Sequence, residues 1–212
     1  MPEHRLSVPR TARYLTLGNE AAPAEIWFVL HGYGQLAARF IRQFAAIDEG
    51  TRLIVAPEAL SRFYLEAGGS EKIGASWMTR EDRLMEIADY VRYLDALYVA
   101  VGAETAQRVV VLGFSQGTAT AARWLVLGTA RADRLILWGG EVPPDLDLAA
   151  AHPRWAETAL LLVAGSADQY ITPKVLARDE ARLRAHGISY RVEQFEGGHE
   201  IPTDVLTRVA AT

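Results

Sequence analysis

Five apolar runs constrain this chain more than any other feature: "EIWFVLHG" (25–32), "RLIVAPE" (52–58), "RVVVLGFS" (108–115), "RLILWGG" (134–140) and "ALLLVAGS" (159–166). Each is nearly continuous in apolar residues rather than alternating, which is the pattern of strands buried on both faces of a parallel sheet. Flanking runs at "RYLTLG" (13–18) and "YRVEQFEGG" (190–198) bring the expected strands to seven. Helical patterns fall between them. Leu84, Ile87, Ala88, Val91, Leu94 and Tyr98 form one stripe at helical spacing in "EDRLMEIADYVRYLDALYVAV". "SQGTATAARWLVLG" predicts a helix ended by Gly128, and "TPKVLARDEARLRAHG" one capped by Thr172, opened by Pro173 and ended by Gly187. A last helix is expected from about Thr203, itself a good N-cap. Strands alternating with helices predict an α/β class: a mostly parallel, doubly wound sheet of about seven strands flanked by helices.

With 212 residues, half of them hydrophobic, the chain suits a single domain over 1–212. Two segments interrupt the alternation, 59–80 and 141–158, both rich in Gly, Pro and aromatic residues. Both follow expected strands, so they are read as loop insertions at one sheet edge that help to line a site. The net charge of −4 leaves no basic footprint for nucleic acid. The chain has no cysteine, which excludes disulfides, thiolate zinc sites and a cysteine nucleophile, and fits the reducing cytoplasm expected as its location. No apolar run approaches the roughly 18 residues of a membrane span, and the N-terminal residues lack the apolar stretch of a secretion signal.

The chemistry is concentrated at strand ends. "LGFSQG" places Ser115 in a Gly-x-Ser-x-Gly string between a buried strand and a helix, the strand–turn–helix setting of a nucleophile elbow. Glycines at 113 and 117 suit a turn too tight for a Cβ, and the N–H of Gln116 would point where the serine oxygen points. A serine hydroxyl needs a base to take its proton and a third group to orient that base. Of His4, His31, His152, His186 and His199, only His199 follows the last expected strand, in "FEGGHEIP"; His152, inside the second insertion, is the competitor. The orienting acid is expected between serine and histidine in chain order, which points to Asp168 in "AGSADQYITP", with Asp145 and Asp147 as alternatives. "VLHGYGQ" ends an earlier strand, and its Tyr33 N–H is the candidate second donor to an oxyanion, with His31 bonding the loop backbone. Phe63, Tyr64, Trp77 and Met78 are candidates for an apolar wall beside the acyl group, or else pack the insertion onto the domain.

Taken together, "FVLHGYG", "APE", "SWM", "GFSQGTATA", "AGSADQYITP" and "GGHEIP" resemble the phospholipase/carboxylesterase branch of the α/β-hydrolases, over residues 26 to 203. The resemblance implies an α/β-hydrolase fold, a Ser115/Asp168/His199 triad and an oxyanion hole from the N–H groups of Tyr33 and Gln116. The chain departs from the family pattern at Gln35, where many members carry an acid, and at Ala164-Gly165, where many begin His-Gly.

The expected activity is therefore that of a serine hydrolase cleaving carboxylic esters of small or medium acyl chains through an acyl-enzyme on Ser115. Such chemistry needs no metal or organic cofactor, and its partner is a small-molecule ester. Thioesterase or lysophospholipase action on the same triad, and a non-catalytic binding protein on the same fold, are the alternatives.

Overall fold

A computed structural model describes residues 1–66 and 71–212. In chain order the strands are β1 (Tyr14–Gly18), β2 (Glu25–Leu30), β3 (Arg52–Pro57), β4 (Ser61–Tyr64), β5 (Ile73–Ser76), β6 (Arg108–Phe114), β7 (Arg134–Trp138), β8 (Ala159–Gly165) and β9 (Arg191–Phe195). The α-helices are α1 (Ala37–Phe40), α2 (Arg83–Ala100), α3 (Gln116–Leu127), α4 (Leu148–Trp155), α5 (Pro173–Ala185) and α6 (Thr203–Ala210). Seven strands form one sheet in the order β1-β3-β2-β6-β7-β8-β9, and β4 and β5 form a separate hairpin. All neighbours in the sheet are parallel except β1, which runs antiparallel to β3. All seven expected strands are present.

The continuous apolar runs separate into two cores by the two-residue period of a strand. Phe28, Leu30, Val111, Leu137 and Leu162 face one side, where Leu94 of α2, Trp124 of α3, Trp155 of α4 and Leu183 of α5 cover them. Trp27, Val29, Leu112, Trp138 and Val163 face the other, under Phe40, Phe44 and the α6 residues Leu206 and Val209. Burying both faces is what makes alternation unnecessary in β2, β3, β6, β7 and β8. The edge strands β1 and β9 stay half-exposed. The strand order reverses between β2 and β6, and loops that diverge from the carboxyl ends of strands at such a reversal are where α/β sheets commonly bind ligands. No helix among the described residues is long and apolar enough to cross a membrane.

Several local expectations change in detail. The buried stripe of α2 is Ile87, Tyr90, Val91, Leu94, Leu97 and Tyr98, while Leu84 in its first turn is exposed. Gly128 ends α3 with a φ of −92°, so it is not there for a left-handed turn. A Cβ at this position would stand 2.7 Å from the Asp95 carboxylate, which accepts from the Trp124 indole and the Thr129 N–H and ties α2 to the end of α3. Thr172 does cap α5, and Gly187 follows that helix with a φ of +67°. Helix α6 begins at Thr203 as expected, but Thr203 is not its cap: Pro202 holds the cap position, its carbonyl accepting from Leu206 N–H, and Thr203 is the first helical residue. The 59–80 insertion contains the β4–β5 hairpin, with its residues 67–70 outside the described residues, and the 141–158 insertion contains α4. Residues 37–47, for which the sequence carried no helical expectation, form α1 and a 3-10 helix over Ile41–Ile47.

Candidate active site

The site is assembled at the carboxyl ends of β2, β6, β8 and β9. Ser115 occupies the single residue between β6 and α3, at φ +55° and ψ −117°. Only it and Asp82 hold a positive φ among the described non-glycine residues. Such a conformation costs on the order of 1–3 kcal/mol and persists only where the surroundings over-determine it. Here they do. The Ser115 N–H donates to the Trp138 carbonyl at 2.9 Å, and its own carbonyl accepts from Thr118 N–H at 3.0 Å. Helix and sheet approach so closely that a Cβ on Gly113 would lie 2.2 Å from the Gly117 carbonyl oxygen, and one on Gly117 2.2 Å from that of Leu30. Gly117→Ala is accordingly expected to cost about 3 kcal/mol or more, a fall in Tm of about 6–12 °C in thermal unfolding. A shift below about 2 °C would contradict this close approach.

Asp168 lies in the turn after β8 with its side chain almost wholly buried. Its Oδ1 accepts from the N–H groups of Tyr170 at 2.8 Å and Ile171 at 3.1 Å, while Oδ2 pairs with His199 Nδ1 at 2.9 Å. Burial opposes the charge on this carboxyl, but the bond from His199 and the two backbone donors outweigh it and hold its pKa below the usual value. Because the anchored carboxylate can only accept, Nδ1 of His199 is the protonated nitrogen and Nε2 is left with its lone pair. The imidazole lies against Phe114, centroids 4.8 Å apart, with Tyr170 edge-on at 4.7 Å. A Cβ on Gly139 would reach 3.2 Å from His199 Cε1, so the glycine after β7 makes room for the ring. The structure thus joins Asp168 to His199 and lays His199 on the residue preceding Ser115. Among the described residues no direct hydrogen bond links the Ser115 hydroxyl to the imidazole; such bonds tighten when a substrate is bound.

The loop after β2 closes the other side. A Cβ on Gly32 would stand 3.1 Å from Ser115 Cβ. His31 is fully buried: its Nδ1 donates to the Gly32 carbonyl at 2.8 Å, and its Nε2 accepts from Ala59 N–H at 3.0 Å. Burial lowers its pKa, so it is a neutral strut of the loop. Gln35, the residue that departs from the family pattern, accepts from Gly32 N–H through Oε1 at 2.8 Å. The N–H of Gly34 goes to Ala75 and that of Gln35 to Gly32. Tyr33 N–H has no acceptor among the described residues. Gln116 N–H, first in α3, has no intrahelical acceptor either.

Of the four candidate wall residues, Tyr64 is exposed, Phe63 is half-buried beneath the Tyr33 ring at 5.1 Å, and Met78 is half-buried against the core. Trp77 is buried, its indole N–H donated to the His31 carbonyl at 2.8 Å, which is packing of the hairpin onto the sheet. The alternatives to Asp168 are otherwise engaged: Asp145 pairs with Arg83 and Arg123, and Asp147 caps α4 through the N–H groups of Ala149 and Ala150. His152 lies on α4, beside Gly187. One participant escaped the sequence entirely, the side chain of Gln116. Its carboxamide donates to the Met78 carbonyl at 2.8 Å and accepts from Trp77 N–H at 3.0 Å.

The model of the phospholipase/carboxylesterase family matches residues 18–211. No curated protein sequence matches the chain. Among solved structures it is similar to acyl-protein thioesterase 2 of Zea mays, with a TM-score of 0.75 and 18% identity, covering 95% of this chain and 97% of that one. It is also similar to the esterase PE8 (TM-score 0.69, 22% identity, 95% and 97% covered). A phospholipase/carboxylesterase of Dyadobacter fermentans gives a TM-score of 0.68 at 15% identity, with 97% and 99% covered. At these identities the structures establish the fold, and the family match over nearly the whole chain establishes the rest: this chain belongs to the phospholipase/carboxylesterase family of α/β-hydrolases.

Proposed function

We propose that this chain is a serine carboxylesterase that cleaves esters of small or medium acyl chains. One observation carries this reading. A buried, doubly anchored Asp168 holds His199 by Nδ1, and the imidazole lies against the neighbour of a serine in a strained turn. Ser115 Oγ attacks the ester carbonyl carbon as its proton passes to His199 Nε2, and Asp168 steadies the imidazolium. The carbonyl oxygen becomes an oxyanion received by the N–H groups of Tyr33 and Gln116, with the N-terminus of α3 adding its partial positive charge. Collapse of this intermediate expels the alcohol, which takes the proton from His199. Water then attacks the acyl-enzyme, gives a proton to His199, and the acid leaves as that proton returns to Ser115 Oγ. Each oxyanion donor of this kind is worth about 3–4 kcal/mol in the transition state.

Chain length is read from the apolar side chains near the loop after β2. Trp77 is spent in packing, while Tyr33 packs on Phe63, Leu65 lies near Gly34, and Met78 is half-buried against the core. A few side chains of this size are in keeping with a short or medium acyl group. Among p-nitrophenyl esters from acetate to palmitate, kcat/KM is expected to peak at or below the medium chains. A maximum at palmitate would overturn the chain-length assignment, and no turnover of any ester would overturn the esterase. The matching thioesters, assayed beside them, separate ester from thioester preference.

A further inference from the structure

The two proposed oxyanion donors lie on different loops, Tyr33 after β2 and Gln116 after β6, yet an oxyanion hole works only if both point at one oxygen. A single stretch of chain touches both. On leaving the hairpin, β5 pairs with the loop after β2: Ala75 accepts from Gly34 N–H at 2.9 Å and donates to the Gln35 carbonyl at 3.1 Å. The approach is so close that a Cβ on Gly74 would stand 2.5 Å from the Gly34 carbonyl oxygen. Immediately afterwards Ser76, Trp77 and Met78 meet the side chain of Gln116. Its Nε2 donates to the Met78 carbonyl, its Oε1 accepts from Trp77 N–H, and Ser76 Oγ accepts from Nε2 at 3.1 Å while donating to the Met78 carbonyl at 2.9 Å. Arg123, buried and paired with Asp145, braces the Met78 sulfur from α3 at 3.6 Å.

We infer that residues 75–78 are a spacer that sets the separation of the two donors, and that the Gln116 carboxamide is its latch. This rests on the esterase reading above. A carboxamide suits the task because its NH₂ and its carbonyl lie in one plane, the NH₂ meeting the Met78 carbonyl and Ser76 Oγ and the carbonyl oxygen meeting the Trp77 N–H. Methionine fills similar volume and can do neither. Gln116 is therefore a positioning residue through its side chain, a role separate from that of its backbone N–H, which Gln116→Met leaves in place.

The test is a series on the full-length protein, Gln116→Met and Ser76→Ala, read by steady-state ester hydrolysis and by inhibition with an alkyl trifluoromethyl ketone, whose serine adduct places an oxyanion in the hole. For Gln116→Met, kcat should fall about 10- to 100-fold and the inhibition constant rise by a similar factor, with KM within about threefold of the parent. Ser76→Ala, which removes one hydroxyl and leaves the carboxamide, should move both quantities in the same direction by about two- to tenfold. A folded Gln116→Met with unchanged kcat and inhibition overturns the latch while the parent's activity upholds the esterase. Should Gln116→Met fail to fold, an unchanged Ser76→Ala overturns it equally. A parent that neither turns over esters nor reacts at Ser115 removes the esterase reading, and the latch with it.

Discussion

Replacing Ser115 with alanine is expected to lower ester hydrolysis by about 10⁴- to 10⁶-fold while the protein stays folded. The loss is large because Oγ is the only atom at the elbow that can carry the acyl group, and the hydrogen bonds of the turn do not compensate for it. Those bonds are backbone bonds, from Ser115 N–H to Trp138 and from Thr118 N–H to Ser115. Alanine keeps both. It also meets the same positive φ with the same Cβ, so the strain is carried over. Thermal unfolding should therefore give a Tm within about 2 °C of the parent. Substantial residual hydrolysis in a variant of unchanged Tm would place the chemistry on another residue.

Asp168→Asn is expected to lower kcat by about 10⁴-fold, for a reason that the hydrogen bonds make specific. Tyr170 and Ile171 both donate to Oδ1, so an asparagine must keep its carbonyl oxygen there and turn its NH₂ toward His199. Nδ1 would then have to accept, which moves the ring proton to Nε2 and removes the lone pair that should receive the serine proton. The pH dependence carries a second signature. The folded carboxyl has its pKa below the unfolded value of about 3.8, so its ionised form contributes stability that is complete well above that pH. That contribution is lost as pH falls from 3.8 through the folded pKa. The gap in stability between parent and Asp168→Asn should be widest near neutral pH and close as the medium is acidified, measured by denaturant unfolding at each pH. A gap that widens toward acid would contradict the buried, ionised carboxylate.

Much of the fold was legible because the strands announce themselves. Runs such as 108–114 and 159–165 are buried on both faces, so their composition is dictated by the sheet alone. The strained serine was legible for a similar reason: Gly113 and Gly117 occupy contacts that no Cβ could make, and their spacing around Ser115 is local. What escaped has two kinds of cause. The β4–β5 strands are four residues each, and β4 alternates half-buried and exposed, too short and too mixed for periodicity to register. The turns over 37–47 could have been found, since Phe40, Ile41, Phe44 and Ile47 carry helical spacing and are all buried. Contacts between distant polar groups were out of reach. Nothing local to Gln116 shows that its side chain will bond residues 38 and 39 positions away, or that Asp145 and Asp147, equal to Asp168 in type, are taken up by arginines and a helix cap. Thr203 shows the opposite error, a good capping residue displaced because hydrogen bonding already starts at Pro202.

The central claim is that Ser115 is a nucleophile activated by His199 and Asp168. The most direct measurement is covalent labelling of the intact protein with a fluorophosphonate, followed by peptide mass spectrometry and repeated on His199→Ala. Stoichiometric phosphonylation at Ser115, slowed by orders of magnitude without His199, is the predicted result. Absence of label on Ser115, or a label whose rate is indifferent to His199, would contradict it.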